Sequence, residues 1–225
     1  MTRRALAFDL DGTLVDSVAD LATALNAALA EVLGEGHARL PLSDDEVRAL
    51  VGRGARKLVD GALLEATAEE AAPDLEERTL ARFLAAYEAR FLDQTRAYPG
   101  LVEPLAALAN EGVPLVVATN KPARFARPIV EALFPGTFAA VLGPEDAGAH
   151  KPDPAILRVA EARAGTKLAA YVGDSLVDVE TARRAGLPMV AVSWGLGAAD
   201  ELRGEHVTLV DDAAQLLRTL RALGP

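Results

Sequence analysis

Four short apolar runs stand out along the chain, at residues 5–8, 113–118, 168–172 and 189–192, and each is followed closely by an acidic or hydroxyl-bearing residue. A run that is apolar at consecutive positions is buried on both faces, which is typical of a parallel strand covered by helices. The pattern therefore predicts a mainly parallel, Rossmann-like sheet.

The segments between these runs carry signals for helices. Asp153 and Pro154 are typical of an N-cap and a first helical position, and Gly165 lies where that helix would end. We expect Gly112 and Gly186 to end two further helices in the same way. The alternation of strands and helices predicts a doubly wound α/β fold.

A long middle stretch contains none of these strand signals. Ser43 and Glu46 have the spacing of a capping box at a helix start. Further along, apolar side chains follow at helical spacing, namely Leu80, Phe83, Leu84, Tyr87 and Phe91. The pattern predicts an all-helical domain at residues 18–96, inserted into an α/β domain made of residues 1–17 and 97–225. The candidate hinges are residues 15–17 and 95–100.

Composition narrows the partners and the chemistry. The chain has 225 residues, of which 33 are acidic and 23 basic, for a formal net charge of −10. This charge repels phosphate backbones and anionic lipids, so we expect neither nucleic acid nor a membrane as a partner. The sequence has no cysteine, which excludes disulfides and thiolate chemistry, and no apolar stretch suited to a signal peptide or a membrane span. We therefore expect a cytoplasmic protein of undefined oligomeric state.

The first predicted strand leads into two carboxylates, those of Asp9 and Asp11. In an extended chain these side chains lie on the same side, and Gly12 permits a sharp exit from the strand. Open parallel sheets bind ligands beyond the carboxyl ends of their strands, where this pair would lie. Taken alone, the pattern is more typical of a solvated turn. Its meaning depends on the neighbouring strands.

A second acidic pair, Asp174 and Asp178, follows the apolar run at residues 168–172. If the two strands are neighbours, Asp9, Asp11 and Asp174 would supply the oxygen ligands that suit Mg²⁺. Asp178 could orient these ligands. Equally, it could be an acid favoured by the dipole in the first turn of a helix.

Two other side chains could bind a phosphoryl group. Thr119 ends the run at residues 113–118, and Lys151 lies in a Lys-Pro-Asp-Pro turn. A hydroxyl and an ammonium can hold phosphoryl oxygens and offset the charge of nearby carboxylates. The ordinary alternatives are a strand-terminal threonine and an exposed turn lysine.

Other candidate sites are weaker. Gly195 and Gly197 follow a predicted strand, but the third glycine of a dinucleotide-binding loop is missing. The three histidines, His37, His150 and His206, lack metal-ligand spacing. His150 adjoins Lys151 and could reach the entrance of a site, although a solvated turn residue is the simpler interpretation.

Taken in order, the segments DLDGT, VVATN, KPDP and GDSLVD resemble the motifs of the haloacid dehalogenase superfamily. The resemblance covers the whole chain and implies that the helical insertion is a mobile cap. It also implies that Asp9 attacks phosphorus to form an aspartyl-phosphate. Asp11 would protonate the leaving oxygen and then activate water.

The same resemblance assigns the remaining motif residues. Thr119 and Lys151 would bind the phosphoryl group. Asp174 would hold Mg²⁺ together with Asp9 and the backbone carbonyl of Asp11, and Asp178 would support them. Because dehalogenase and phosphonate-cleaving relatives lack the second acid, Asp11 favours a phosphatase that acts on a small phosphorylated metabolite.

Residues 51–58 and 119–122 look most like the corresponding segments of phosphoglycolate phosphatases. This resemblance adds Gly12, Thr13 and Asn120 as candidate substrate-binding residues in the α/β domain. In the cap, it adds Arg53 and Gly54, because an arginine fork suits a small carboxylate.

Two alternatives stay open. One is a sugar-phosphate phosphatase or mutase of the same superfamily, since such enzymes share the acid pair and the helical cap. The other is a non-enzymatic regulatory phospho-acceptor. The long helical insertion argues against the second alternative, because a lid serves turnover.

Overall fold

The computed structural model describes residues 3–34, 36–204 and 207–225. The chain divides into two compact units. One is made of Met1–Asp16 and Ala97–Pro225, and the other is Ser17–Arg96. Their roles as catalytic domain and cap stay predictions.

The first unit is built on a parallel sheet. The strands of the chain are β1 (Ala5–Phe8), β2 (Val15–Asp16), β3 (Arg96–Ala97), β4 (Leu115–Ala118), β5 (Ala140–Leu142), β6 (Leu168–Gly173), β7 (Met189–Val192) and β8 (Val207–Val210). Six of them form one sheet in the order β5-β4-β1-β6-β7-β8, and each pair of neighbours is parallel. The predicted mainly parallel α/β fold is confirmed.

The helices lie between these strands and in the second unit. They are α1 (Val18–Leu33), α2 (Asp44–Leu50), α3 (Ala55–Thr67), α4 (Pro73–Glu88), α5 (Val102–Asn110), α6 (Ala123–Leu133), α7 (Pro144–Ala147), α8 (Ala155–Ala164), α9 (Leu176–Ala185) and α10 (Ala213–Ala222). A 3₁₀ turn covers Ala199–Leu202. Within the described ranges, no helix is both long and apolar enough to cross a membrane.

Two strands of the six-stranded sheet escaped the sequence prediction, and both lie at its edges. The two-residue strands β2 and β3, which pair with each other, were not predicted either. β5 has only three residues, and β8 alternates between partly buried and exposed positions. An edge strand has one neighbour and less cover, so it lacks the continuous apolar run that marks a central strand. β4 also begins later than predicted, because the Val113 amide donates to Leu108 at the end of α5.

The helices end at or within two residues of the predicted glycines. Gly165 and Gly186 end α8 and α9 in the left-handed conformation, each with φ +68°. Gly112 also has a positive φ, but α5 ends before it, with Glu111 as the C-cap. Asp153 is not the N-cap of α8, since Pro154 holds that position. Asp153 still caps the helix, because its carboxylate accepts the amide of Ala155 at 2.8 Å.

The described part of residues 18–96 is helical, as the sequence predicts, except that its last residue, Arg96, begins the two-residue strand β3. Ser43 and Glu46 form the predicted capping box at the start of α2. On α4, Leu80, Phe83 and Tyr87 are buried, and the helix packs against α1 and α3. The apolar face of α4 therefore forms part of the core of this unit.

A buried carboxylate ties the two ends of the helical unit together. Asp20, in the first turn of α1, accepts the amides of Gln94 and Thr95 at 2.8 to 3.0 Å. It also accepts the hydroxyl of Thr95 at 2.7 Å. These bonds join residues that lie more than seventy positions apart in the sequence. One side chain thus holds the segments by which the chain enters and leaves the unit.

We expect Asp20→Ala to lower the free energy of unfolding by about 3 kcal/mol, because buried amide and hydroxyl donors lose a charged acceptor. Urea denaturation with a probe in the helical unit measures the loss. Asp93→Ala is the matched control, since Asp93 is exposed beside the same segment. Equal stability of the two variants would contradict the structural role of Asp20.

Candidate active site

The site is built where three adjacent strands end. β1 lies between β4 and β6, and Phe8 pairs with Val117 on one side and Val172 on the other. Asp9, Thr119 and Asp174 follow these strands at the same edge of the sheet. Because the strands are parallel, residues distant in sequence come together at their carboxyl ends.

Three buried carboxylates surround one buried lysine at this edge. Oxygens of Asp9, Asp174 and Asp178 all lie within 4.8 Å of one another. The Nζ of Lys151 lies 2.8 Å from Oδ1 of Asp9 and 2.8 Å from Oδ1 of Asp178. Three of the four predicted acids and the predicted lysine therefore form one cluster, whereas the side chain of Asp11 is not part of it.

Asp178 holds neighbouring groups in place through hydrogen bonds to both of its carboxylate oxygens. Its Oδ1 accepts the ammonium of Lys151 at 2.8 Å and the hydroxyl of Tyr171 at 2.9 Å. Its Oδ2 accepts the hydroxyl of Ser175 at 2.6 Å and the amides of Ser175 and Asp174 at 3.1 and 3.3 Å. Both oxygens are thus engaged, so Asp178 fixes the lysine and the turn that carries Asp174. It also lies in the first turn of α9 and completes its capping box, which agrees with its interpretation as a first-turn acid. Its role toward a metal stays a prediction.

Asp174 is held from two sides. Its Oδ1 accepts the hydroxyl of Thr13 at 2.9 Å, and its Oδ2 accepts the amide of Leu196 at 2.8 Å. Gly12 has φ +85°, and a Cβ there would overlap the Asp174 carboxylate. The amide of Gly12 donates to Val15 at 2.9 Å. Gly12 and Thr13, which were predicted to bind substrate, therefore support the side chain of Asp174 in this structure.

Gly195 and Gly197 contribute to the same site. A Cβ on Gly195 would overlap the side chain of Asp174, and one on Gly197 would overlap its backbone carbonyl. The loop after β7 therefore approaches Asp174 closely because these positions lack side chains. The sequence pattern gave no sign of this packing role.

Asp11 has a partner that sequence reasoning missed. The Nζ of Lys121 donates to Oδ1 and Oδ2 of Asp11 at 2.9 and 3.1 Å, and both residues are buried. The signal was in the sequence, because Lys121 follows Thr119 with the spacing that separates Asp11 from Asp9.

Tyr171 is a second missed residue. Its hydroxyl lies 2.9 Å from the carbonyl of Ala118 and accepts the ammonium of Lys151 at 2.9 Å. A tyrosine inside an apolar strand needs a partner for its hydroxyl, and this requirement was the available signal.

Two residues of the second motif hold their neighbours. The hydroxyl of Thr119 accepts the amide of Lys121 at 3.2 Å. The side chain of Asn120 accepts the amide of Lys151 at 2.8 Å and donates to its carbonyl at 3.2 Å. Asn120, predicted to bind substrate, thus fixes the backbone that carries the central lysine.

The predicted cap residues lie in the helical unit. Arg53 is exposed and makes no ion pair with any described residue. Gly54 is the N-cap of α3, with φ +90°. Nearby, Arg56 is paired with glutamates of α4 and Lys57 with Asp60. Of the three basic side chains at residues 53–57, Arg53 is therefore the one without an ion pair to a described acidic residue.

The other singled-out residues lie beside the site or outside it. His150 is exposed. The indole of Trp194 donates to the carbonyl of Thr13 at 3.2 Å. His206 lies outside the described residues.

Comparison with known proteins agrees with this geometry. The family model of the haloacid dehalogenase-like hydrolases matches residues 3–186 of this chain. The chain belongs to this family. It is 42% identical over 199 residues to a phosphoglycolate phosphatase of Caulobacter vibrioides, covering 84% of this chain and 79% of the relative. It is 38% identical to one of Rhodospirillum rubrum, covering 95% and 89%.

A solved structure supports the same assignment. The crystal structure of a predicted phosphoglycolate phosphatase from Haemophilus somnus superposes with a TM-score of 0.86 and 29% identity. The match covers 98% of this chain and 99% of that one. This haloacid dehalogenase-like hydrolase thus shares its fold with that protein over nearly its full length.

The site of this hydrolase carries an excess of buried negative charge. Asp9, Asp174 and Asp178 surround Lys151, so the cluster has a net charge of −2 when all groups are ionised. The Asp11 and Lys121 pair beside it is balanced. Oxygen donors and this excess charge fit a divalent cation such as Mg²⁺.

The pKa values follow from this arrangement. Burial raises the pKa of Asp9 to about 6, although Lys151 opposes the rise. Burial, with the charges of Asp178 and Asp9, raises the pKa of Asp174 to about 7. Burial by itself would lower the pKa of Lys151, but Asp178 and Asp9 outweigh it and hold that pKa above its usual value. Lys151 is therefore a permanent cation.

We expect the metal-free protein to lose stability as the pH rises from about 5 to 7.5. Asp9 and Asp174 bind protons in the folded state up to pH values near 6 and 7, whereas an ordinary aspartate releases its proton near 3.8. The folded state therefore binds more protons in this window, and the free energy of unfolding falls with pH. At about 1.4 kcal/mol per pKa unit, the fall is on the order of 2 to 4 kcal/mol.

Urea titrations in a chelator at several pH values measure this slope. Asp174→Asn should flatten it, and the exposed control Asp211→Asn should not. A slope of the opposite sign in the wild-type protein would contradict the buried-charge description of the site.

Proposed function

We propose that this protein is a Mg²⁺-dependent phosphoglycolate phosphatase, which converts 2-phosphoglycolate to glycolate and phosphate through an aspartyl-phosphate on Asp9. The observation that carries the proposal is the contact between Asp9 and Lys151 inside the carboxylate cluster. If Asp9 is the nucleophile, this contact puts a fixed positive charge beside it. The named relatives favour the substrate.

The first chemical step joins Asp9 to the phosphoryl group. A carboxylate oxygen of Asp9 forms a bond to phosphorus as the bond from phosphorus to the glycolate oxygen breaks. Lys151 lies 2.8 Å from Oδ1 of Asp9 and can hold a phosphoryl oxygen next to it. A carboxylate can attack an anionic phosphate only when such cations offset the charge between them.

Asp11 handles the proton in both steps. It gives a proton to the departing glycolate oxygen and then takes one from the water that attacks phosphorus. The second step breaks the bond between phosphorus and Asp9, releases phosphate and restores the carboxylate. The placement of Asp11 two residues after Asp9 favours one side chain for nucleophilic attack and one for proton transfer.

Thr119 supplies a hydrogen bond to the phosphoryl group. Its hydroxyl oxygen accepts the amide of Lys121, and its hydrogen has no acceptor among the described residues. A phosphoryl oxygen is a suitable acceptor for this hydrogen.

Asp9 and Asp174, with the backbone carbonyl of Asp11, would hold Mg²⁺. The bound ion would neutralise phosphoryl charge and orient the transferred group. Asp178 would act through the backbone of the 174–175 turn and through Lys151.

A substrate panel separates this function from a sugar-phosphate phosphatase or mutase. We expect kcat/KM for 2-phosphoglycolate to exceed the values for hexose monophosphates by at least about tenfold. A higher value for a sugar phosphate would favour the other phosphatase. Isomerisation of a hexose phosphate without release of phosphate would indicate a mutase.

Asp9→Asn should lower kcat by at least about 10³-fold, because an amide is a poor nucleophile. The fold should survive, and the metal-free variant should melt at or above the wild-type temperature at pH 8, since one buried charge is gone. Acid-quenched wild-type enzyme should carry a hydroxylamine-labile phosphate that the variant lacks. Turnover by the folded variant at the wild-type rate would exclude Asp9 as the nucleophile.

Removal of the metal should stop turnover, and Mg²⁺ should restore it. Ca²⁺ should inhibit, because its larger and more flexible coordination shell misplaces the reacting groups. Mg²⁺ should also raise the melting temperature more at pH 8 than at pH 5.5, since protons compete for Asp9 and Asp174 at the lower pH. Rates that stay unchanged in excess chelator would contradict metal dependence.

Arg53→Ala should selectively impair 2-phosphoglycolate. If Arg53 binds the substrate carboxylate, the loss in transition-state binding should be about 1.5 to 3 kcal/mol, whereas a neutral aryl phosphate should be unaffected. Arg78→Ala, an exposed helix arginine of the same unit, is the control. Equal losses on both substrates would leave recognition to other groups, such as the backbone amide of Gly54.

A further inference from the structure

Lys121 is a buried cation that the mechanism above does not use. Its Nζ contacts both carboxylate oxygens of Asp11, at 2.9 and 3.1 Å. Its side chain is only 4% exposed. Burying an ion pair is costly, and apolar side chains in place of both Lys121 and Asp11 would fill the same space at similar or lower cost. A specific role for the ammonium would explain why the site holds it.

The two lysines divide the two acids between them. Lys151 lies 2.8 Å from Asp9, and Lys121 binds Asp11. β1 and β4 are parallel neighbours, so the segments that follow them leave the sheet at the same edge. Asp11 lies in the first of these segments and Lys121 in the second, and their side chains meet there.

We propose that Lys121 is a positioning residue for Asp11. This inference rests on the proposed function, because it assumes that Asp11 transfers the proton. The ammonium holds the plane of the Asp11 carboxylate and acts on the reaction only through it. A carboxylate offers about four acceptor positions, so two bonds to Lys121 orient Asp11 without exhausting it.

The value of such positioning follows from the geometry of proton transfer. The donor must lie within hydrogen-bond reach of the leaving oxygen, and a displacement of about 1 Å can cost about 10²-fold in rate. An aspartate side chain without a fixed partner can turn about two bonds. The two contacts with Lys121 limit this freedom.

The backbone of Lys121 has a separate role that helps the experiment. Its amide donates to the hydroxyl of Thr119 at 3.2 Å. A side-chain substitution at Lys121 retains this amide. Such variants therefore test the contact with Asp11 while leaving the contact with Thr119 in place.

The test is a double-mutant cycle with Lys121→Met, Asp11→Asn and the combined variant. We compare kcat/KM for 2-phosphoglycolate and 4-nitrophenyl phosphate at saturating Mg²⁺. Lys121→Met should lower the value about 100-fold for 2-phosphoglycolate. The loss should be below about threefold for 4-nitrophenyl phosphate, whose leaving group departs without a proton.

Further variants refine the result. In the Asp11→Asn background, Lys121→Met should change the rate less than about twofold, because a residue that acts through Asp11 has nothing left to position. Lys121→Arg should recover about tenfold of the loss, since its fork can bind a carboxylate. Lys167→Met, at an exposed lysine paired with Glu161, should match the wild type.

Stability gives a second readout. Lys121→Met leaves the Asp11 carboxylate without this partner, so its melting temperature should fall, and the fall should be smaller in the Asp11→Asn background. If Lys121→Met is unfolded at the assay temperature, the same cycle is run with Lys121→Arg. The rate loss from Lys121→Arg should then also vanish in the Asp11→Asn background.

Three results would overturn the proposal. The first is an equal rate loss with and without the Asp11 carboxylate, which would mean that Lys121 acts on the substrate itself. The second is an equal loss on both substrates, and the third is wild-type activity of Lys121→Met. If the wild-type enzyme prefers another alkyl phosphate, the substrate assignment fails, and the cycle on that phosphate still decides the role of Lys121.

Discussion

The burial of excess negative charge is the constraint on which the site depends. Three carboxylates share one lysine, and burial raises the pKa of Asp9 and Asp174. We therefore expect this arrangement to weaken the metal-free fold near neutral pH. The same excess negative charge would bind the divalent cation that we propose for the site. The stability of the cluster and its function therefore oppose each other.

The surrounding residues limit how far this charge can relax. Asp178 and Tyr171 hold the ammonium of Lys151, and Asn120 holds its backbone. On the other side, glycines at positions 12, 195 and 197 let the backbone approach Asp174, where side chains would collide. Each contact leaves the reactive groups less freedom to turn away from one another. The site is preorganised before any ligand binds.

The helical unit is stabilised mainly by apolar packing rather than by buried charges. Its core is apolar, and its one buried carboxylate contact described here, from Asp20, joins the two ends of the unit. This pairing keeps the first turn of α1 and the end of the unit together. The sequence predicted its helices well because local signals, such as the Ser43 capping box and the periodic face of α4, are independent of distant contacts.

What the sequence by itself determined about this protein is the part that local patterns encode. The central strands, the helical insertion and the four motif segments were readable because burial on both faces leaves continuous apolar runs, and reactive residues follow strand ends. The tertiary structure decided the edge strands β5 and β8, the contact of Lys121 with Asp11, and the support from Tyr171 and the glycines near Asp174. These features arise only when parallel strands bring residues distant in sequence to one edge of the sheet. Which side chain meets which is then set by register and packing, which no local pattern contains.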